Sequence, residues 1–311
     1  MHILLTFAAT RDAIVGERLL IEAGEPVRAV PLPMAIAAGC GICLRLPLTR
    51  RESAIAVLEV EGAAVAGTYL AFAGGYRTFP RPTFTRTFGI APGAAVAIVG
   101  CGGKTSLANR LAMENRHLPV LFSTTTRILP PPDSVVDHRL READAGVLPP
   151  GVTIACERCG EKLRGVSIES LARLRPAGGL TILEADGSRG LPLKGWAEHE
   201  PVIPAFVDAT VGVCSIGPVG FCFSPKMAHR PEIFMKTAGI GEGDIIGVGH
   251  IAAMIRAMFA KAAGRRILFI NQVESPEAEE CARLLAGRLD GMAIAAGSLR
   301  SGALRLVKGE E

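Results

Sequence analysis

Short apolar strands alternate with amphipathic helices over most of the chain. This predicts an α/β protein with a mostly parallel sheet, helices on both faces, and a small α+β domain at the N-terminus. The composition agrees: hydrophobic residues are 49% and charged residues 21% of 311, enough for a sizeable core and too apolar for wholesale disorder. Aromatics are only 5%, so the interior is mainly Ala, Val, Leu and Ile. At ~100–200 residues per domain, the length suggests about two domains. The third observation is a glycine-rich turn joining a strand to a helix, described below.

Residues 1–72 read as one unit. His2–Phe7 is an apolar strand, and Thr10–Ala23 has helical spacing through Ile14, Leu19 and Ile21. Val27–Val30 is a second strand, stopped by Pro31 and Pro33, which lack backbone donors. Ile42–Leu46 is a third. Thr49 can cap a helix to about Val60, and Ala64–Phe72 is a fourth strand. The β-α-β-β-α-β order predicts a ferredoxin-like domain. Residues 73–92 carry Gly74, Gly75, Pro80, Pro82 and Pro92 and no acidic residue, and are expected to be a linker. Arginines interleave with Tyr76, Phe79, Phe84 and Phe88 there. An extended connector pinned by its rings is the favoured reading over a single-stranded nucleic-acid surface.

Residues 93–311 are expected to form the second domain. Its strands are Ala94–Val99, Val120–Phe122, Val152–Ala155, Leu180–Ala185, Thr210–Ile216, Arg266–Ile270 and Met292–Ala295. Its helices are Lys104–Asn115, Ile168–Leu174, Gly243–Ala262 and Pro276–Leu289. Ligands of such sheets sit at the carboxyl ends of the strands.

The segment Ala97-Ile98-Val99-Gly100-Cys101-Gly102-Gly103-Lys104-Thr105-Ser106 makes this domain P-loop-like. Glycines let the backbone close on a ligand, and the helix start adds free amides and partial positive charge. Lys104 would reach the β- and γ-phosphates, and Thr105 would place its hydroxyl on Mg²⁺. The position of the usual first glycine is Ile98, so the loop is shorter by two than G-x-x-x-x-G-K-[ST]. The short form resembles the ATP loop of the Mur ligases. Cys101, beside the helix start, could carry a lowered pKa, though a small packing residue is the commoner outcome.

Leu180–Ser188 is an apolar strand ending in Glu184 and Asp186, which a regular strand puts on one face. One carboxylate would hold Mg²⁺ while the other orients an attacking group. Arg189 and Lys194 follow, suited to charge stabilisation or to the surface. Thr124 and Thr125 stand at another strand end, where hydroxyls can meet phosphate or serve an ordinary turn. Asn271-Gln272-Val273-Glu274 resembles the N-K-x-D element that reads guanine in GTPases. Gln272 replaces its Lys and Glu274 its Asp, which leaves the base unassigned.

Eight cysteines are too sparse for a disulfide scaffold and suit reduced thiols. Cys40, after Pro31, Pro33 and Gly39, reads equally as an exposed nucleophilic thiol or as a buried small apolar residue, with Cys43 as the other choice of carrier; Cys214, Cys222 and Cys281 read as core. The longest apolar stretch, Ile245–Ala263, is broken by His250, Arg256 and Lys261, so no membrane span is expected. The N-terminus lacks a basic n-region, which points to the cytoplasm. Net charge is +4, as compatible with an anionic small ligand as with nucleic acid.

From about Ala94 onward the chain resembles the selenium cofactor biosynthesis family, the YqeC-like accessory proteins of selenium-dependent hydroxylases. The resemblance rests on V-G-C-G-G-K-T-S, S-T-T-T, E-A-D-G-S-R-G-L-P-L-K, H-E-P-V-I-P and His229-Arg230-Pro231-Glu232. Ser106 stands where a second Thr is frequent. Residues 1–72 resemble a small Se/S carrier domain through Pro31, Pro33 and Cys40-Gly41. The resemblance implies maturation of selenium-dependent molybdenum hydroxylases, with a selenium donor and the hydroxylase as partners. The expected cofactors are Mg²⁺ and ATP or GTP. The expected site is Gly100, Cys101, Gly102, Gly103, Lys104, Thr105, Ser106, Thr124 and Thr125 around the nucleotide. Thr105 with Glu184 or Asp186 would hold the metal, Lys104, Asp186 and Arg189 would serve phosphoryl chemistry, and Cys40 would carry chalcogen. The expected activity is Mg-dependent nucleoside triphosphatase or phosphoryl transfer. The alternatives are a nucleotide-gated assembly factor without selenium chemistry and a Mur-like ligase or kinase; nucleic-acid binding ranks last.

Overall fold

The computed structural model describes residues 1–37, 41–61, 63, 65–79, 83–140 and 146–309. The protein is α/β and divides into two compact units, residues 1–82 with 300–303, and 83–299 with 304–311. No helix among the described residues is long and apolar enough to cross a membrane.

The first unit contains β1 (His2–Thr6), α1 (Thr10–Glu22), β2 (Arg28–Pro31), β3 (Ile42–Pro47), α2 (Arg51–Val60), β4 (Gly67–Phe72) and β5 (Gly75–Thr78). The sheet order is β2-β3-β1-β4-β5, and every pairing is antiparallel. Ile3, Leu5, Leu44, Leu46 and Leu70 from the sheet pack with Leu20 of α1 and Ile55 and Leu58 of α2. The predicted strands and helices all appear, and β5 extends the sheet into the segment expected to be a linker.

The second unit opens with α3 (Phe84–Thr87), also inside that segment. It continues with β6 (Ala95–Gly100), α4 (Lys104–Glu114), β7 (Pro119–Thr124), β8 (Arg127–Ile128), β9 (His138–Leu140), β10 (Gly151–Cys159), β11 (Lys162–Gly165), α5 (Ile168–Leu174) and β12 (Leu180–Glu184). Then come β13 (Leu193–Lys194), β14 (Ala209–Ser215), β15 (Ala228–His229), α6 (Pro231–Ala238), α7 (Val248–Met258), β16 (Arg265–Asn271), α8 (Pro276–Ala286), β17 (Ala293–Ser298) and β18 (Ala303–Lys308). The main sheet runs β18-β17-β16-β14-β6-β12-β7-β10-β11-β8. From β17 to β10 all neighbours are parallel.

Period-two alternation along β6 separates the two cores. Val96 and Ile98 face Leu107 and Leu111 of α4, whereas Ala97 and Val99 face the side of Met254 and Ile255 of α7. Phe84 and Phe88 of the expected linker are buried, and Phe84 meets Phe269 edge-on at 5.1 Å. Rings engaged in this way are closed to base stacking. The Glu114 carboxylate accepts the Phe84 and Thr85 amides and so caps this helix start.

One helix starts later than expected, and one helix was not expected. The helix expected from Gly243 begins at Val248, because residues 243–246 hydrogen-bond to Phe221 and Phe223 in a turn. The unexpected α6 is one short helix, opened by Pro231 and closed by Gly239 at φ +67°. Cys222 is exposed rather than in the core, and Cys281 is only partly buried; Cys214 is buried.

Candidate functional site

The chain leaves β6 for β7 and β10 on one side of the sheet and later builds β14, β16 and β17 on the other. Such a reversal opens a crevice at the carboxyl ends of the central strands. The glycine turn lies there, between the ends of β12 and β14. Gly100, Gly102 and Gly103 have φ of +108°, +78° and +140°. A Cβ on Gly100 would stand 2.1 Å from the Val213 carbonyl oxygen, and one on Gly103 would stand 2.6 Å from Asn271 Nδ2. Only glycine satisfies both the dihedral and the space. The Cys101 amide donates to Val213 O at 2.9 Å, and Asn271 Nδ2 donates to Gly102 O at 2.8 Å. The loop is thus braced from the β14 and β16 side. The first amides of α4 have no intrahelical acceptors by construction, and the helix dipole makes them attractive to an anion.

A buried charge network lies under the loop. Asp186, with no exposed surface, accepts the Gly100 amide at 3.1–3.2 Å, Lys194 Nζ at 2.9 Å and Trp196 Nε1 at 2.8 Å. Lys104 Nζ lies 3.3 Å from the same carboxylate and donates to Gly100 O at 2.7 Å and Ser188 Oγ at 3.1 Å. Lys194 also contacts Glu200 at 2.9 Å, and Arg230 grips Glu200 with both terminal nitrogens, at 2.5 and 3.1 Å. Each buried charge has an opposite partner, as burial demands. Trp196 and Ser188 as members of this network were not foreseen from sequence. Lys194 lies on β13, where sequence left it between charge stabilisation and the surface, and Glu200 follows it with no role assigned from sequence.

The two carboxylates at the end of β12 differ. Asp186 is saturated by protein donors. Glu184 is 5% exposed and meets Thr105 Oγ1 at 3.0 Å. Burial pushes its carboxyl up, against Lys104 and the Thr105 hydroxyl, which pull it down, while Asp186 adds to the rise. A desolvated carboxylate beside a hydroxyl at a helix start is a donor set of hard oxygens that fits Mg²⁺, which takes one or two carboxylates and completes its shell with phosphate and water. Thr124 donates to Glu184 O at 2.7 Å and Thr125 to Val202 O at 2.7 Å, so both hydroxyls fix the strand end.

The remaining expected residues divide. Ser106 and Arg189 are exposed, the latter with φ +54°. The Cys101 thiol is turned into the core, 3.1 Å from Pro192 O, and burial drives it up to about 12. The lowered value conceivable at a helix start is overturned, because desolvation outweighs the nearby lysines. Cys43 is likewise buried on β3, and burial raises its thiol despite a backbone hydrogen bond. Cys40 lies outside the described residues.

Glu200 gives the network a pH signature. Burial alone would raise its carboxyl, but hydrogen bonds from Arg230 and Lys194 outweigh this and hold it at about 2. A depressed folded value means stability that is complete above the unfolded pKa of ~4.3 and is lost as pH falls toward the folded one. The advantage of the parent over Glu200→Gln in denaturant unfolding should therefore shrink between about pH 5 and pH 2, by about 1–2 kcal/mol once solvent screening of this partly exposed pair is allowed for. A constant gap across that window contradicts the assignment.

The sequence around this site is similar to that of known proteins. The family described as "YqeC protein" matches residues 96–232, from β6 through the acidic strand to Arg230. The family described as "Putative Se/S carrier protein-like" matches residues 2–70. A protein named YqeC from Escherichia coli (strain K12) is 31% identical over 201 residues, covering 58% of this chain and 77% of its own length. No solved structure matches. On that identity and coverage, with the glycine loop, the acidic strand and the Glu200–Arg230 pair all inside the matched stretch, the chain belongs to the YqeC protein family.

Proposed function

We propose that the second unit binds a nucleoside triphosphate with Mg²⁺ in a P-loop-like site, and that hydrolysis or phosphoryl transfer there serves selenium handling. The observation that carries this is that Lys104 and Thr105 open α4 after a loop holding three glycines with positive φ, with Lys104 held by Gly100 O and Asp186 and Thr105 against Glu184. Thr105 and Glu184 would hold Mg²⁺, which supplies charge neutralisation for the phosphates. Lys104, now satisfied by Gly100 O, Ser188 and Asp186, is the cation within reach of a polyphosphate on the α4 amides. Asp186 acts as the anchor of the loop and the lysines. Arg189, exposed and next in sequence to Ser188, supplies further positive charge.

The family and the carrier-like match of residues 2–70 support a selenium-related role. The finer reading is that the ferredoxin-like first unit carries selenium or sulfur on Cys40 and that the nucleotide site drives its activation or insertion in a molybdenum hydroxylase. Cys43 is poorly suited to the carrier role, since its thiol is buried and raised. Cys40→Ser should abolish persulfide or perselenide loading of the full chain while Cys43→Ser retains it, as read by mass spectrometry. Loading that survives Cys40→Ser moves the carrier role elsewhere.

The nucleotide reading is tested by thermal unfolding with Mg-ATP and Mg-GTP. Ligand at ~100 times its dissociation constant should stabilise by about 2.7 kcal/mol. A transition unmoved by both nucleotides overturns the proposal.

A further inference from the structure

The His229–Arg230 segment has no part in holding the nucleotide, yet it is built against the same charge network. β13 and β15 pair in parallel with Lys194 opposite His229, and the Gly195 amide donates to His229 O at 2.8 Å. Directly opposed residues of neighbouring strands share a face. His229 therefore shares the face from which Lys194 reaches Asp186 and Glu200, both at 2.9 Å. Gly195 lets this pair sit tightly on α6, since a Cβ there would stand 2.6 Å from Ile233 Cβ and 2.8 Å from Arg230 O. His229 is partly buried, and its side chain makes no hydrogen bond among the described residues.

Two arginines bear on this imidazole, and both occupy backbone positions that disfavour them. Arg189 has φ +54° and Gly190 +73° in a tight turn that the Leu191 amide closes onto Ser188 O at 3.0 Å. Paired positive φ suits Gly, Asn or Asp. Arg230 has φ +56° at the N-cap of α6, where Ser, Thr, Asp or Asn are the usual residues. Left-handed outliers of this kind cluster at ligand sites. The charges around them do not cancel. The His229 imidazole is held below its ordinary value, first by burial and then by Arg230, Lys194 and Arg189, with Glu200 opposing. Glu200 is already shared between Arg230 and Lys194, and Asp186 between Lys194 and Lys104. Arg189 is exposed and makes no ion pair or hydrogen bond among the described residues. It directly follows Ser188, whose hydroxyl accepts Lys104 Nζ at 3.1 Å. We propose that Arg189 and His229 form an oxyanion subsite outside the glycine loop, which takes the anionic group of a second substrate. The second-substrate role rests on the nucleotide reading above. A guanidinium fork matches the oxygens of a carboxylate, sulfate or phosphate, and the imidazole supplies one further donor. An anion bound there neutralises the excess cations and so favours a proton on His229.

The test is a proton NMR titration of His229 in the full chain, its signal assigned by His229→Gln. Sodium sulfate is the probe, because it stays a dianion throughout the titration, and sodium chloride at equal ionic strength controls for screening. Sulfate should raise the His229 midpoint above its value in chloride. It should do so equally when Mg²⁺ and the β,γ-imido analogue of ATP or GTP fill the phosphate loop. Arg189→Ala should raise the midpoint in chloride, since a cation is gone, and should weaken sulfate binding about tenfold. Arg189→Lys, which keeps the charge without the fork, should fall between. Equal midpoints in sulfate and chloride overturn the inference alone, as does a parental sulfate response in Arg189→Ala. A response abolished by the bound analogue also overturns it, because sulfate then occupies the place of the nucleotide's own phosphates. A sulfate response in a chain whose unfolding neither Mg-ATP nor Mg-GTP moves supports the oxyanion site and overturns the nucleotide reading, and the second-substrate role falls with that reading.

Discussion

Lys104→Ala should lower nucleotide hydrolysis by about 10²–10³-fold, the cost of removing one preorganised donor from developing charge. The ammonium is 4% exposed and already aimed at the loop by Gly100 O and Ser188, so its positioning cost is met before ligand arrives. The fold should survive, because Asp186 keeps Lys194, Trp196 and the Gly100 amide. The nucleotide-induced rise in melting temperature should vanish with the activity. Steady-state phosphate release and thermal unfolding, run on parent and variant together, check both halves. Parental turnover in the variant would remove Lys104 from the reaction.

Asp186→Ala should instead damage the fold. Breaking a buried ion pair from one side costs about 3–5 kcal/mol, because the remaining charge is left uncompensated. Here the loss reaches Lys104 and Lys194 together, and it orphans the Gly100 amide and the Trp196 indole. Equilibrium denaturation in urea should show a lower midpoint at similar slope. Asp186→Asn keeps the shape and some hydrogen bonding and should fall between. A fully stable alanine variant would mean that the network is solvated in solution.

Much of the frame was legible because apolar period and turn chemistry agree there. Strands β6, β7, β10, β12, β14, β16 and β17 each overlap an expected apolar run, whereas the short β9, β13 and β15 do not, and the glycine loop fell between strand and helix as its composition demands. The acidic strand was legible as a pair of carboxylates, but their division of labour was not. Sequence places Glu184 and Asp186 two apart on a strand. Only tertiary structure brings Lys194 of β13 and Trp196 just after it onto Asp186, and Thr105 from α4 onto Glu184. α6 escaped notice because it is a two-turn helix without long periodicity, although Pro231 and Gly239 were available as its start and stop signals. Cys101 was legible as the small packing residue that is the commoner outcome beside a helix start: it is buried in the core, where desolvation raises its thiol. Phe84 and Phe88 looked like part of an arginine-rich connector, and the long-range contact with Phe269 that buries them has no local signature.

Trp196 is the chain's one tryptophan, and its indole nitrogen is bound to the carboxylate that holds the base of the loop. The protein therefore carries its own optical reporter. Any ligand that draws Lys104 away from Asp186 changes the field at the indole, so unlabelled fluorescence titration can follow occupancy in real time, with no competing tryptophan signal to subtract.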